Sequence, residues 1–212
     1  MKIIVLNGSP KGKESITLHY AKIIQKKFPD HEYEIENISL QIKRIEKDEK
    51  VFNGIIEKIK QADTVLWVFP LYVYLVPSQY KRFIELIFER KVEDAFRDKF
   101  TAVITTSIHF YDHTAHNYMR AICEDLNMKY VDFISAGMSS LPKKEGQQEL
   151  MRFAENFFNA IETDLPTPRY YPPLNYSDFQ YKHGIVESKI SLKGKKILLL
   201  TDNQDPESNL GK

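Results

Sequence analysis

The sequence predicts an α/β domain built on a parallel β-sheet with helices on both faces. Strand-length apolar segments alternate with helical patterns five times, which is the order of repeated βα units. Three of the five segments are continuously apolar, as strands covered on both faces are. With 212 residues, 42% of them hydrophobic, the chain is long enough for one such domain of roughly 150 residues and an extension.

Five segments are predicted as strands: residues 2–7, 32–38, 63–69, 100–106 and 130–136. The continuously apolar stretches are Ile3 to Leu6, Val65 to Phe69 and Ala102 to Ile104. The second segment alternates around Tyr33-Glu34-Ile35-Glu36, so we expect it at or near an edge of the sheet. Because ligands bind beyond the carboxyl ends of parallel strands, the loops after strands one, three and four are the places to search.

Helices are predicted wherever apolar residues recur every three to four positions. The three clearest sets are Val51, Phe52, Ile55, Ile56, Ile59; Tyr80, Phe83, Ile84, Ile87, Phe88; and Leu150, Phe153, Ala154, Phe157, Phe158, Ile161. Pro77 suits a first helical turn, where its missing N–H would have had no partner. Cys123 falls on an apolar stripe, and Trp67 lies inside the third strand, so both are predicted to be core residues.

The character of the sequence changes from about Glu162. Four prolines lie within residues 166–173, too many for a helix or a central strand. This pattern predicts an extended connector whose tyrosines lie on a neighbouring subunit or on the domain's own surface. We therefore divide the chain into a domain at 1–162, a Pro/Tyr-rich connector at 163–194 and an extra strand at 195–212.

The extra strand repeats the beginning of the chain. Lys195 to Asp202 has the basic entry, apolar run and polar exit of Met1 to Gly8. Ser208-Asn209-Leu210 then stands about where Ser15-Ile16-Thr17 stands in the first copy. Two explanations are open: the strand adds to an existing sheet, or it begins a truncated second module of the same kind.

Composition excludes several classes of function. The net charge of +1 gives no reason to expect nucleic acid or an anionic membrane as a partner. Apolar runs are too short to span a bilayer, and the first residues lack the features of a signal peptide. A single cysteine excludes internal disulfides. These features together favour a cytoplasmic protein.

The loop after the first strand is rich in small and hydroxyl side chains. Its hydroxyls are those of Ser9, Ser15 and Thr17. Loop amides and a helix N-terminus attract phosphate. A P-loop is excluded, because Gly8 and Gly12 have only three residues between them and Glu14 replaces the magnesium-binding hydroxyl. The dinucleotide glycine pattern is missing too, so the loop favours one terminal monophosphate; an ordinary turn with a capping serine is the alternative.

The loop after the third strand, Val68 to Pro77, is unusually apolar and aromatic. A flat aromatic ligand would explain such a loop at the same sheet edge as a phosphate. Packing on its own domain or on a dimer partner would explain it as well.

With these loops in view, the sequence resembles the flavodoxin-like NAD(P)H-dependent FMN reductases, especially the branch that includes iron–sulfur flavoproteins. Three motifs carry the resemblance over roughly residues 1–161. They are Gly8-Ser9-Pro10-Lys11 with Ser15 and Thr17; Ala62-Asp63 with Pro70-Leu71-Tyr72, Pro77 and Lys81-Arg82-Phe83-Ile84; and Thr105-Thr106-Ser107. The resemblance implies a doubly wound five-stranded sheet in the order 2-1-3-4-5.

The resemblance also implies bound FMN and NAD(P)H as electron donor. Ser9, Lys11, Ser15 and Thr17 would hold the FMN phosphate, with Pro10 in the same cofactor-binding loop. Pro70, Leu71, Tyr72 and Val73 would flank the isoalloxazine, and Thr106, Ser107 and His109 would lie near its other edge. Lys11 stands where the family usually has arginine, and Ile16 where asparagine is common.

Neither an iron–sulfur cluster nor another metal is expected. The cluster cysteines of the related branch are replaced by residues such as Gln41, Lys43 and Arg44. His113 and His116 lie one helical turn apart, close to His109 and Asp112. Asp112 is also well placed to cap a helix, and a histidine beside a flavin needs no metal, so we favour the interpretation without one.

The predicted function is an FMN-dependent oxidoreductase that passes electrons from NAD(P)H to a small acceptor such as a quinone or a flavin. His109 and Tyr111 are the candidates for protonating the acceptor. The alternative is a flavodoxin-like electron carrier or docking module without its own turnover. A homodimer is expected, with the apolar loop and the connector at the interface.

Overall fold

The computed structural model describes residues 1–108 and 111–174, together with residues 193, 194, 196 and 198. In these residues five parallel strands form one sheet in the order β2-β1-β3-β4-β5. The strands are β1 Lys2–Asn7, β2 Glu32–Asn37, β3 Thr64–Pro70, β4 Phe100–Ser107 and β5 Lys129–Gly137. The flavodoxin-like fold and its strand order, both predicted from the sequence, are confirmed.

Burial along the strands follows their place in the sheet. The three continuously apolar strands, β1, β3 and β4, are central and almost entirely buried. The alternating strand β2 lies at one edge and pairs with β1 alone, in the register Lys2↔Glu32. Its side chains are therefore only half-buried or exposed, as the alternation predicts.

Six helices of the described residues cover the two faces of the sheet: α1 Ile16–Lys27, α2 Ile42–Lys47, α3 Glu49–Gln61, α4 Ser78–Glu89, α5 His113–Asp125 and α6 Lys144–Glu162. Alternate residues of β1 belong to two separate cores. Ile3 and Val5 pack with α1 and α6, whereas Ile4 and Leu6 pack with α2, α3, α4 and α5. Each helix buries one apolar stripe, which is why the periodic patterns were visible in the sequence.

Trp67 and Cys123 are core residues, as predicted. Both are fully buried, and the Trp67 ring stacks on Phe96 with ring centroids 5.8 Å apart. Burial raises the pKa of the Cys123 thiol, so this cysteine is an inert packing residue.

The chain divides into two compact units, Met1–Pro173 and Leu174–Lys212. Helix α6 ends at Glu162, and the first part of the connector lies on the domain's own surface. The backbone N–H groups of Tyr170 and Tyr171 donate to the carboxylate of Glu124 at 3.0 and 2.8 Å. The domain boundaries stay predictions, and the extra strand at 195–212 lies outside the described residues apart from positions 196 and 198.

Candidate functional site

A cavity of about 140 Å³ opens at the carboxyl ends of β1, β3 and β4. Its lining consists of Ser9, Lys11, Ser15, Ile16, Thr17, Pro70, Leu71, Tyr72, Thr106 and Met138. All of these except Ile16 and Met138 are among the predicted cofactor-binding residues. The cavity lies where the chain switches direction across the sheet, the usual ligand position in open α/β folds.

The loop after β1 is held in shape by Asn7, a fully buried side chain. Its Nδ2 donates to the Gly12 carbonyl and to Asn37 Oδ1, both at 2.9 Å, and its Oδ1 accepts from the Ser9 amide at 3.1 Å. Gly12 has φ +54°, and a Cβ there would come within 2.7 Å of Leu40 Cδ2. The loop therefore needs glycine at this turn.

Gly8 is required for a different reason, the close approach of helix α4. A Cβ at Gly8 would meet the Tyr80 ring at 2.5 Å and Phe69 Cβ at 2.9 Å. Tyr80 in turn donates its hydroxyl to the Leu6 carbonyl at 2.6 Å. This packing fixes the point at which the chain leaves β1 and enters the loop.

The hydroxyls of Ser9 and Ser15 in this loop can donate hydrogen bonds into the cavity. Ser9 Oγ accepts from the Lys11 amide and Ser15 Oγ accepts from the Leu18 amide, each at 3.3 Å. Because these oxygens already accept, their protons are available as donors, and the described residues supply no acceptor for them. Ser15 is thus the capping serine of α1 and a lining residue of the cavity at once, so the two interpretations of the loop are compatible.

A third contact joins the loop to β4 across the sheet. Thr17 Oγ1 and Thr106 Oγ1 are 2.5 Å apart and both side chains are buried. One of the two hydroxyls donates to the other, and the second proton of the pair faces no acceptor within the described residues. The floor of the cavity therefore carries a further donor.

The loops after β3 and β5 continue the hydrogen bonding of the sheet. The Leu71 amide donates to the Thr106 carbonyl at 2.9 Å, and the Met138 amide donates to the Ser107 carbonyl at 3.1 Å. These bonds extend the β3–β4 and β4–β5 pairings beyond the strand ends and hold the apolar lining residues in place.

A tight apolar turn follows in the loop after β3. Tyr72 and Leu75 exchange two backbone hydrogen bonds of 3.1 and 3.2 Å, and Val73 and Tyr74 between them have φ values of 45° and 72°. A left-handed φ at a β-branched residue is rare, and such strain concentrates at functional sites. Val73 is 81% exposed, so the turn presents apolar surface outside the cavity.

Polar contacts organise the ends of β4 and β5. Ser107 Oγ donates to Asp112 Oδ2 at 2.5 Å, and Ser135 Oγ donates to the same oxygen. Asp112 does occupy the N-cap position of α5, but its side chain makes no capping bond there. The carboxylate instead ties two strand ends together.

His116 lies beneath this cluster. Its Nε2 is 2.9 Å from Thr105 Oγ1, and the side chain is buried. Burial lowers the pKa of His116 to about 4, against the opposing effect of Asp112. The imidazole is therefore neutral at pH 7 and acts as a hydrogen-bonding core residue.

Some predicted site residues lie elsewhere. Pro10, Val73 and Ser107 do not line the cavity, and their contact with a cofactor stays a prediction. Tyr111 is 56% exposed and packs edge-on against Tyr74, with ring centroids 5.3 Å apart. His109 lies outside the described residues. The described part of the chain contains no group of three or more side chains suited to holding a metal ion.

Sequence reasoning missed three contributors: Asn7, Ile16 and Met138. Asn7 was visible as a polar residue at the end of an apolar strand. Ile16 stands between Ser15 and Thr17, two predicted cofactor-binding residues. The only sequence signal at this position is that isoleucine replaces the asparagine common in the related family. Met138 had no signal, since the loop after β5 was not among those expected to form the site.

A larger cavity of about 390 Å³ lies at the opposite, amino end of the sheet, between the connector and the start of β5. Three of its charged side chains, Glu124, Lys129 and Arg169, have hydrogen-bonded partners. Burial acts to raise the pKa of Glu124, but Arg120 and the amides of Tyr171 and Tyr170 outweigh that effect and lower it. We place the functional site in the smaller cavity, because parallel sheets bind ligands at their carboxyl ends.

Comparison with known protein families decides the identity of the chain. Residues 1–140 match the model of the family described as NADPH-dependent FMN reductase. The chain belongs to this family. The reductase is thus an NAD(P)H-dependent flavin oxidoreductase with FMN as its cofactor, as the motifs predicted, rather than a carrier without turnover.

Solved structures similar to the reductase share its fold at low sequence identity. An NADH:FMN oxidoreductase, EMOB, has a TM-score of 0.62 at 16% identity, covering 75% of this chain and 89% of its own. FerB from Paracoccus denitrificans, an NAD(P)H:(acceptor) oxidoreductase, has a TM-score of 0.58 at 18% identity, covering 76% and 97%. General stress protein 14 from Treponema denticola, in complex with FMN, has a TM-score of 0.53 at 13% identity, covering 76% and 98%. No curated protein matches the chain.

No helix in the described ranges combines the length and the apolar character needed to cross a bilayer.

Proposed function

We propose that the reductase holds FMN at the carboxyl-end cavity and passes electrons from NAD(P)H to a small acceptor such as a quinone or a flavin. The observation that carries this proposal is the juxtaposition of hydroxyl donors and apolar loops at one sheet edge. Ser9, Ser15 and the Thr17–Thr106 pair offer donors, whereas Leu71, Tyr72 and Met138 offer apolar surface. The hydroxyl donors suit a phosphate group, and the apolar surface suits a flavin ring.

The residues present fit FMN. Phosphate oxygens are acceptors, and the loop after β1 supplies donors together with the cationic side chain of Lys11 and the N-terminus of α1. The enclosed volume of about 140 Å³ is below the ~300 Å³ of a typical small-molecule site. A flavin would therefore extend beyond it over the exposed apolar side chains of the loops after β3 and β5.

FMN, when bound, supplies the hydride chemistry. The chain binds, orients and shields it: Asn7 fixes the phosphate loop, and the bonded Leu71 and Met138 backbones fix the apolar walls. Tyr111, whose ring lies against Tyr74 of the apolar turn, is the described candidate for bringing a proton donor to that side of the site. His109 shares this proposed role from the sequence alone.

A matched pair of lysine variants tests the site. Lys11 lines the cavity, whereas Lys13, two residues away and also exposed, does not. Purified protein titrated with FMN should show flavin absorbance at about 450 nm and one bound FMN per chain. Lys11→Ala should weaken FMN binding about tenfold, the loss expected for one charge-assisted contact, and Lys13→Ala should leave it within about twofold.

Steady-state oxidation of NADPH and NADH with a quinone or free flavin tests the acceptor. Turnover with one of these acceptors supports the proposal. Protein that binds no FMN at micromolar concentration contradicts the site assignment, and FMN-loaded protein that reduces neither acceptor contradicts the acceptor class. Equal effects of the two lysine variants would show that net charge rather than the cavity governs binding.

We also propose a homodimer that covers the apolar turn after β3. Tyr72, Val73 and Leu75 are exposed together there, and clustered exposed apolar side chains mark interaction surfaces. A second copy of the chain is the occupant that the sequence suggests. Sedimentation should give a dimer mass, and a monomer mass at every concentration would exclude this interface.

A further inference from the structure

Met138 is an exposed thioether at the candidate flavin site. It lines the cavity, yet the residue is 53% exposed. The bond from its amide to the Ser107 carbonyl holds its backbone in line with the sheet, and the Gly137 carbonyl before it accepts from the Tyr20 hydroxyl at 3.0 Å. The sulfur therefore belongs to a fixed part of the site and is open to small solutes.

The other methionines of the chain do not share this position. The sequence contains five methionines, and the structure describes all of them. Met119 and Met128 are buried, while Met1 and Met151 are partly buried and pack against the core on the α1–α6 face of the sheet. Met138 alone among the five combines exposure with a place on the cavity wall.

We infer that Met138 is a site of oxidative modification, converted to the sulfoxide by hydrogen peroxide formed at the flavin site, and that this conversion lowers turnover with apolar acceptors. The inference rests on the proposed function. Two electrons and two protons delivered at that site to dioxygen, in place of the acceptor, give hydrogen peroxide, and flavin cofactors support such oxygen chemistry.

The oxidation step balances without a further reagent. The sulfur lone pair attacks one peroxide oxygen, the O–O bond breaks, and the other oxygen leaves as water after taking up the proton that the attacked oxygen gives up. The thioether is oxidised by two electrons and the peroxide is reduced by two. Thioethers react in this way where the sulfur is accessible, and the product can be reduced again by sulfoxide reductases.

The consequence follows from the neighbours of Met138. Ile16, Leu71 and Tyr72 share the cavity lining with it, so the thioether is part of an apolar wall. A sulfoxide adds a strong, poorly matched hydrogen-bond acceptor to that wall. An apolar acceptor then binds less well, whereas Ser9 and Ser15 of the loop after β1 keep their hydroxyl donors.

Peptide mass spectrometry tests the modification directly. One sample of FMN-loaded protein is turned over in air with NADPH and no other acceptor, a second such sample contains catalase as well, and a third sample, of FMN-free protein, receives hydrogen peroxide alone. Met138 should gain one oxygen atom at least about tenfold faster than Met151, the matched partly buried control. Catalase should suppress the gain in the turnover sample. Equal rates at the two methionines, or oxidation of Met151 first, would overturn the inference.

A functional arm separates modification from general damage. After peroxide treatment, kcat/KM for a quinone should fall about fivefold, and Met138→Gln, which resembles the sulfoxide in polarity, should show a similar fall without treatment. Met138→Leu, compared with its own untreated sample, should lose no activity. Loss of activity in treated Met138→Leu equal to that of the native protein would contradict the assignment. Failure of the native protein to bind FMN would instead contradict the proposed function, because the peroxide-only sample tests Met138 without any cofactor.

Discussion

Replacing Thr17 by valine removes one half of the hydroxyl pair at the floor of the cavity. The two oxygens are 2.5 Å apart and both side chains are buried, so Thr17→Val leaves the Thr106 hydroxyl without its partner. An unsatisfied buried hydroxyl costs about 1–3 kcal/mol of unfolding free energy. Thr106→Val should cost a similar amount, for the same reason. Changing both residues together removes both polar groups, which is often nearly neutral, so the double variant should be more stable than the sum of the single effects predicts.

Affinity for FMN should respond differently from stability. If the spare proton of the pair donates to FMN, each single variant loses a hydrogen bond to a charged or polar group, and the dissociation constant rises about tenfold or more. The double variant recovers stability but cannot recover the donor, so its affinity should stay low. Urea denaturation of the FMN-free protein and fluorescence titration with FMN measure the two quantities separately.

A third threonine supplies the control. Thr101 lies on the same strand, β4, is buried, and donates to the Val65 carbonyl at 2.9 Å, but it does not line the cavity. Thr101→Val should reduce stability and leave FMN affinity unchanged. Strictly additive single effects on stability would show that the Thr17 and Thr106 hydroxyls do not interact. Native-like FMN binding by the double variant would show that the pair has no role toward the cofactor.

Three further variants test the loop after β1, helix α3 and the buried histidine. Gly12→Ala should weaken FMN binding and lower the free energy of unfolding by about 1–2 kcal/mol, because φ is +54° and the new Cβ meets Leu40. Gly54→Ala, in helix α3 with open space around it, should raise the free energy of unfolding by about 0.5–1 kcal/mol. If urea denaturation showed Gly12→Ala to be the more stable of the two variants, the geometry would be contradicted. His116 has its pKa lowered from 6.5 to about 4 by burial, so the unfolded chain takes up a proton more readily and stability is lost as the pH falls from about 6.5 to about 4, by roughly 3 kcal/mol in total. His116→Gln should flatten that part of the pH–stability curve, and an unchanged slope would exclude His116 as its source.

The sheet could be predicted in detail because burial on both faces leaves a direct mark on the sequence. In β1, β3 and β4 nearly every side chain is buried, so the apolar runs correspond to single strands. The side chains of β2 are only half-buried or exposed, so polar residues alternate with apolar ones along it. This alternation predicted that β2 lies at or near an edge of the sheet. Strand order could not be read from these patterns, and came from the resemblance carried by the three loop motifs.

The site could be predicted only for residues whose chemical type and local sequence position indicate a ligand contact. Ser9, Ser15 and Thr17 met this condition as hydroxyls in a strand-to-helix loop, and the structure places them around one cavity. Met138 did not, because its position depends on the Ser107↔Gly137 register between β4 and β5. A one-residue shift of that register would turn its side chain to the other face.

Asp112 shows why a correct position does not determine a role. The sequence predicted a helix cap there, and α5 does begin directly after it at His113. Capping competes with any stronger donor within reach of the same carboxylate. Ser107 and Ser135 arrive from two different strands, and both donate to Asp112 Oδ2, so the carboxylate lies toward the sheet rather than over the helix amides. Asp112, directly before α5, is thereby bonded to the carboxyl ends of both β4 and β5. The contact with Ser135 depends on the packing of α5 against β5, and no local pattern in residues 107–113 could have revealed it.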